Sequence, residues 1–310
     1  MSTEFARAEA TSVPQTTSIE SLRDTLVNPW PRISLRPVLT VVFLIAFFVW
    51  GINGTRARPA ELIAGIPNIL DFIRRLFPPI LDIVQVPLAL PAISVLGLEI
   101  PAIGFTEITF PYPTVMTAII ETVQMAIIGT AGAIILAMPF GLLAARNTSP
   151  HPWVYQTTRM ILNANRALPE IVYALIFVAA VGLGPFGGVL ALAIGSMGSM
   201  GKLYAESIES IDPQQVLALR ATGANPLMTF LYSVMPQALP VIASYSLLLF
   251  EGNVRSASIL GLVGAGGVGF LISKYLALFQ YQKLMGAMIL LIITVTVIDR
   301  ISDSLRKRII

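Results

Sequence analysis

The chain has 310 residues, 55% of them hydrophobic and only 12% charged, with a formal net charge of +3. Soluble domains carry about 25% charged residues, so an ordinary soluble domain is excluded, and several apolar runs approach the roughly 20 residues that cross a bilayer. The small basic excess sits at the ends of those runs, a topology signal and not a nucleic-acid footprint, while zero cysteines and a lone His151 exclude a disulfide frame and offer no metal-ligand set.

Residues 1–36 are polar and rich in Ser, Thr and Glu. They read as a cytoplasmic tail with a short helix at residues 18–27. They do not read as a cleavable signal, because the first apolar run starts late and no small-residue cleavage site follows it. Arg32 and Arg36 stand before that run, the first span at residues 37–53, and favour a cytoplasmic N-terminus. Residues 54–113 are expected at or outside the outer surface. Ile66, Ile69, Leu70, Ile73, Leu76 and Phe77 recur at helical spacing, with Asn68, Asp71, Arg74 and Arg75 on the other face. That is the pattern of an amphipathic interfacial helix. The apolar stretch at residues 80–105 carries Asp82, Glu99, Pro87, Pro91 and Pro101. As a span it would leave charges and freed backbone groups in lipid, so it predicts an extended or interfacial segment.

The second span falls within residues 115–143 and is expected to kink or end near Pro139. The third, residues 160–181, contains Arg166, Pro169 and Glu170 and ends at a Gly-Leu-Gly-Pro turn. The fourth, residues 186–200, is rich in Gly, Ala, Ser and Met, and small residues let membrane helices approach closely. The fifth is expected at residues 240–259 and the sixth at residues 284–298, before a basic C-terminus at residues 304–310. Six spans place both basic termini on one side with Arg146, Arg159, Lys202 and Arg220, and a seventh would separate them. The fold class is an all-α polytopic membrane protein with six transmembrane helices.

Residues 204–240 form a polar island between the fourth and fifth spans. Asp212 and Pro213 read as the N-cap and first turn of a short helix at residues 214–222. Gly223, Asn225 and Pro226 break it. A second helical segment carries Leu227, Phe230, Leu231 and Val234 and is expected to stop at Pro236.

Residues 264–269 spell GxGxxG, but no strand precedes them and Lys283 lies where a dinucleotide site needs an acid. The glycines are read instead as close packing and backbone freedom at the outer end of a helix. No GxxxxGK[ST] occurs, so an ATP-driven process would need a partner's phosphate loop. Glu121, Arg166, Glu170, Glu251 and Arg255 are charges at membrane depth, and their cost in lipid makes them functional candidates. Glu251 and Arg255 are four residues apart and share a helix face, as do Arg166 and Glu170 in the opposite order. Two readings stand. Each pair neutralises itself or locks neighbouring helices. Alternatively Arg166 and Arg255 line a pathway with Asn163, Asn165 and Asn253, beside Glu170 and Glu251, and pass an anion whose oxygens a guanidinium matches.

The island resembles the cytoplasmic loop of binding-protein-dependent ABC importer permeases of the type I fold. That pattern runs Glu-Ala-Ala, three residues, Gly, nine residues, then Ile-x-Leu-Pro. Ala218, Gly223 and Pro236 match it in place, while Leu217, Leu219, Ser233 and Met235 depart from it. Arg166-Ala167-Leu168-Pro169-Glu170, residues 174–178, 182–185 and 143–147 resemble the permease of phosphonate importers. So do residues 201–204 with Glu206 and Glu209, Phe250-Glu251 with Asn253-Val254-Arg255, and residues 260–269. The resemblance covers residues 122–308.

It implies that the last five spans form a type I (MetI-like) importer core at residues 115–303, with a coupling loop at residues 204–236. Ala218, Arg220, Gly223, Asn225, Pro226 and Pro236 would shape or make the contact with a cytoplasmic ATPase. That ATPase would hold ATP and magnesium, leaving no cofactor in this chain. A second copy of the chain, an external binding protein and the lipid of the inner membrane are the further expected partners, with no nucleic acid. The expected substrate is phosphonate or a related phosphorus oxyanion, phosphite or hypophosphite, moved by alternating access. The alternatives are an ion-coupled secondary transporter, which predicts an inverted repeat of broken helices, and a membrane scaffold without transport.

Overall fold

A computed structural model describes residues 35–55, 59–90, 93–95, 98–100 and 103–309. The helix expected at residues 18–27 lies outside the described residues. The chain divides between Ile69 and Leu70 into two compact units.

The first unit holds α1, Leu35–Thr55, and most of α2, Pro59–Leu76. Nineteen residues of α1, Pro37–Thr55, are apolar enough to cross a membrane. Its end is closed by the Thr55 hydroxyl, which donates to the Gly51 carbonyl at 2.9 Å. In α2, Glu61 lies in the first turn and Arg74 and Arg75 in the last, matching the helix dipole at both ends.

The second unit begins with a feature that an all-helical reading leaves out. Strand β1, Ile83–Leu90, pairs antiparallel with β4, Ile103–Pro113, with a register shift at Pro87/Leu88. Between them β2, Ile93–Val95, pairs with β3, Leu98–Ile100. Proline blocks a helix here, while two-stranded ribbons tolerate it at edges and bulges. Residues 83–90 with 103–113, and residues 93–95 with 98–100, are therefore extended in two short ladders. The base of the ribbon is tied down through Asp82. Its carbonyl accepts from the Thr114 N–H at 2.8 Å. Its carboxylate meets Lys283 Nζ at 3.1 Å and accepts from the Tyr275 hydroxyl at 3.4 Å.

The helices that follow are α3, Thr114–Ala144; α4, Pro152–Ala167; α5, Glu170–Val181; and α6, Pro185–Glu209. Then come α7, Pro213–Ala221; α8, Pro226–Thr229; α9, Met235–Leu260; α10, Gly267–Ala277; and α11, Tyr281–Ile309. Among the described residues, five helical stretches are long and apolar enough to span: Pro37–Thr55, Thr114–Ala144, Pro185–Glu209, Pro226–Val263 and Tyr281–Ile309. The pair α4 and α5 passes only when taken together, and it is bent by 85°.

α3 and α6 pack along most of their length through small residues. A Cβ on Gly129 would lie 2.7 Å from the Leu192 Cβ, and one on Gly141 would lie 2.8 Å from that of Tyr204. Ala126, Ala133, Ala137, Ala191 and Ala205 are buried around the same contact. Such backbone-close packing is how membrane helices associate when lipid supplies no hydrophobic drive.

Three sequence expectations need correction. The third span is not one straight helix: Pro169 lacks an N–H and disfavours helical dihedrals at Leu168, so the chain bends there. The fourth helix does not stop near Met200 but continues to Glu209. The island's second segment does not stop at Pro236. A π-turn at Phe230–Val234 lets the Met235 N–H bond the Phe230 carbonyl, and Pro236 falls in the first turn after it, where its missing donor is harmless. Pro139 stays inside α3 without ending it.

The glycine run at residues 264–269 joins α9 to the short helix α10. Gly264, Gly266 and Gly267 have φ of 91°, 80° and 68°, values that disfavour side chains. A Cβ on Gly261 would meet backbone atoms of Gly266, Gly269 and Phe270. Backbone cannot move aside as a flexible side chain can. Gly261→Ala should therefore destabilise the protein by about 1–3 kcal/mol. Gly252→Ala, facing open space in a helix interior, should stabilise by about 0.5–1 kcal/mol. Thermal unfolding of the detergent-solubilised chain should separate the two in opposite directions.

Candidate functional site

The island folds as its caps dictate. The Asp212 carboxylate accepts from the Gln214 N–H at 2.9 Å and starts α7. Gly223, at φ 84°, ends it, with its N–H on the Arg220 carbonyl at 3.0 Å. The Asn225 side chain then accepts from the Met228 N–H at 2.7 Å, and Pro226 opens α8. Asn225 and Pro226 thus serve the shape of the turn. No residue of α7 is buried. Ala218 and Arg220 are exposed, as are Leu217 at 56%, Leu227, Met228 and Leu231, and Tyr232 at 74%. The loop thus carries an exposed apolar surface, whose part from Leu227 to Tyr232 belongs to a stretch apolar enough to span. In the sequence Leu227 and Leu231 mark only the second helical segment, and Met228 and Tyr232 are not singled out, because helical spacing alone does not say which face is exposed.

A charged clamp fixes the base of this loop. Arg159 Nη2 donates to both Glu209 carboxylate oxygens at 3.0 and 2.9 Å, and its Nε donates to the Ala144 carbonyl at 3.0 Å. The Arg146 N–H adds a 2.8 Å bond to Glu209, and Arg146 Nε donates to the Tyr155 hydroxyl at 3.0 Å. The Arg159 guanidinium also lies 4.7 Å from the centre of the Tyr155 ring. The clamp thereby joins the ends of α3, α4 and α6. Arg159 and Glu209 are 50 residues apart, so no local spacing announces the pair.

Toward the middle of the bundle a polar seam crosses four helices. Asn253 of α9, 1% exposed, donates from Nδ2 to Thr130 Oγ1 of α3 at 2.9 Å. The Ser196 hydroxyl of α6 lies 3.0 Å from Asn253 Oδ1 and 3.2 Å from Glu170 Oε1 of α5. Asn165 staples α4 to α6. Its Nδ2 donates to the Ile194 carbonyl at 3.0 Å and to the Tyr173 hydroxyl at 2.9 Å, and its Oδ1 accepts from the Gly198 N–H at 2.9 Å. Glu170, Asn165 and Asn253 are sequence candidates, whereas Ser196 and Thr130 are not. A serine or threonine in an apolar helix carries no signal until its partner is placed.

The two charged pairs part company. Arg166 and Glu170 do not share a helix face, because the bend at Pro169 separates them. Glu251 and Arg255 do: Arg255 Nη2 donates to Glu251 Oε1 at 3.0 Å. Arg255 also reaches Asp299 at 3.1 Å, while Arg306 reaches Glu251 and Asp303 at 3.4 Å. This ladder ties α9 to α11, the locking role.

Asn163 and Arg166 are exposed at the end of α4. Arg166 lines a cavity of about 270 Å³ with Ser199, Lys202, Leu203 and Glu206. Asn163 lines a neighbouring hollow of about 40 Å³ that Lys202 also borders. At the ribbon end, half-buried Glu121 lines a separate cavity of about 400 Å³ with Thr117, Leu183, Gly264 and Phe270. No group of three or more His, Cys, Asp or Glu that could hold a metal occurs among the described residues.

A bent span, a central helix with a polar stripe and an exposed loop are what a membrane pathway driven from one end needs. The family model for the binding-protein-dependent transport system inner membrane component matches residues 137–310. The chain belongs to this family. The phosphite transport system permease protein PtxC of Stutzerimonas stutzeri is 40% identical over 74% of this chain and 82% of its own length. The putative phosphite transport system permease protein HtxC of the same organism is 37% identical over 79% of this chain and 77% of its own. A chain of the methionine ABC transporter MetNI, solved in inward-facing conformations, matches with a TM-score of 0.56 at 20% identity. That match covers 63% of this chain and 96% of the other. The core of this transport component therefore has the type I importer fold.

Within the transport component, Asn253→Ala should leave the buried Thr130 hydroxyl without its donor and Ser196 with Glu170 alone, and lower stability by about 1–3 kcal/mol. Asn163→Ala, at an exposed site, should change it by less than about 0.5 kcal/mol. Unfolding midpoints of the two variants in one detergent would check the contrast.

Proposed function

We propose that the chain is the membrane-spanning permease of an ATP-driven importer for phosphonate or a related phosphorus oxyanion, phosphite or hypophosphite. Family membership and the two phosphite permease relatives support this reading. The observation that carries the mechanism is the island. It presents an apolar and cationic surface at one end of α6, and Arg159 and Glu209 clamp it to the start of the bent span.

In this reading two copies of the chain enclose the pathway. Two ATPase subunits, which hold ATP and magnesium, dock on the islands from the cytoplasm, and an external binding protein delivers the anion. The basic residues around the island, Arg146, Arg159, Lys202 and Arg220, and those at the end of α11 would face the cytoplasm with both termini. Arg220 and the leucines would form the contact, with Gly223, Asn225 and Pro226 holding the shape. Ala218 is small and exposed on α7, which lets a partner surface approach. A push on α7 would pass through the clamp into α4 and α6 together, opening the bend at Pro169 by turns to either side.

The test is reconstitution. The chain should co-purify with an ATPase whose hydrolysis rises when an external binding protein loaded with phosphonate or phosphite is added. Arg220→Glu and Gly223→Val should each lower that stimulation about tenfold, the equivalent of about 1.4 kcal/mol of docking energy, with the chain still folded. Leu217→Glu should weaken coupling as well, by charging an apolar contact. Failure of every candidate ATPase to bind would overturn the proposal.

A further inference from the structure

Arg166, Ser199, Lys202 and Glu206 take no part in the packing of the bundle, yet they meet at the helix bend. Ser199, Lys202 and Glu206 stand at i, i+3 and i+7 on α6, one stripe of a helix. Arg166 reaches the same stripe from the end of α4, and together they line the cavity of about 270 Å³. Arg166, Ser199 and Glu206 are exposed and Lys202 is half-buried. Neither cation has an ion-pair partner among the described residues. Arg159, Arg255 and Arg306, by contrast, are each bonded to carboxylates.

A stripe carrying Lys202 and Glu206, with Arg166 set against it, cannot face acyl chains without a large penalty. The other faces of α6 are filled, with Gly198, Met200, Gly201, Tyr204 and Ala205 buried. The stripe therefore faces water or protein. Arg166 and Lys202 against Glu206 leave the cavity with a net charge of +1, from two positive charges and one negative.

We propose that this cavity is an anion subsite of the permease itself, taking a compact tetrahedral phosphorus oxyanion in transit. The proposal rests on the phosphorus-oxyanion reading above for the identity of the anion, but not for its charge. The Arg166 guanidinium offers two parallel donors to two oxygens of one anion. Lys202 adds a point charge and the Ser199 hydroxyl a third donor. Glu206 opposes the anion and keeps it from staying. A site on a pathway must be attractive enough to enter and weak enough to leave, and two cations tempered by one carboxylate meet that need.

The experiment uses the full chain in lipid nanodiscs with no binding protein, and follows the ³¹P resonance of inorganic phosphite. The wild type should broaden the line in a saturable way. Arg166→Gln with Lys202→Gln should abolish the effect, Arg166→Lys should keep it with a weaker midpoint, and Lys307→Gln should leave it unchanged. Glu206→Gln should tighten binding about tenfold by removing a nearby repulsive charge. Should the double variant fail to fold, the Glu206→Gln midpoint decides. Unchanged broadening in the double variant overturns the proposal. So does weaker binding or loss of the dimer in Glu206→Gln, since the stripe would then be an ion-pair seam between copies. Reconstituted uptake separates this inference from the function beneath it. Phosphite binding without any uptake by the wild type would overturn the import reading and leave the anion site standing. Uptake that persists in the double variant would overturn the subsite alone.

Discussion

Everything at the centre of this protein depends on backbone approaching backbone along α6. Gly188, Gly195, Gly198 and Gly201 carry no side chain, and the space of each is taken by a different neighbour: Met125 and Ala265, Glu170 and Tyr173, Asn165, and Leu162. A methyl group at any of them would push back the helix beside it. These contacts come from α3, α4, α5 and the glycine turn before α10, so one helix organises three others and a turn. In lipid this close fit does the work that water exclusion does in a soluble core, because dispersion contacts are gained only where surfaces match.

Close approach also makes the polar chemistry possible. Asn165 can bond the Gly198 N–H and the Ile194 carbonyl only because Gly198 leaves its side of α6 open. Ser196, two residues before Gly198, reaches both Glu170 and Asn253. Each bond lies where water is scarce, so an unmatched partner would be expensive. The charges follow the same logic. Glu251, Arg255, Asp299 and Arg306 satisfy one another between α9 and α11, and Arg159 satisfies Glu209 at the base of the loop. Against that background the unpaired Arg166 and Lys202 stand out.

The spans were legible because an apolar run of sufficient length has one stable solution in a membrane. The island was legible because capping is local: Asp212, Gly223 and Asn225 each make a capping bond within three residues of themselves, and Pro226 stands where no N–H is needed. Three kinds of feature were not legible. Pro169 lies between two apolar segments, and hydropathy cannot say that the chain turns by 85° there. The 11 residues of α10 are too few to register as a span, and they make sense only once the glycine turn before them is placed. Partners distant in the chain, such as Thr130 with Asn253 or Arg159 with Glu209, leave no periodic trace. The glycine run itself was legible in kind. Read as close packing and backbone freedom, it proves to hold three residues at positive φ and to press Gly261 against backbone.

The bonds around the bend are unequal, and that inequality sets where the structure can yield. On the α4 side, Arg159 and Asn165 hold α6 by charge-assisted and amide bonds at both ends of the packed stretch. On the α5 side, the side-chain bond to α6 is one serine hydroxyl shared between Glu170 and Asn253; Tyr173 bonds Asn165 of α4 across the bend, and the remaining contact with α6 is packing. A hydroxyl has one proton, so Ser196 can donate to only one of its two neighbours at a time. The joint between α5 and the seam is thus the weaker of the two. Pro169 has already removed a helical bond from the same point. Were the island loaded by a partner, as proposed, the clamped pair α4 and α6 would carry the load together, and the first compliant point would be Leu168–Pro169, beside the stripe of Ser199, Lys202 and Glu206.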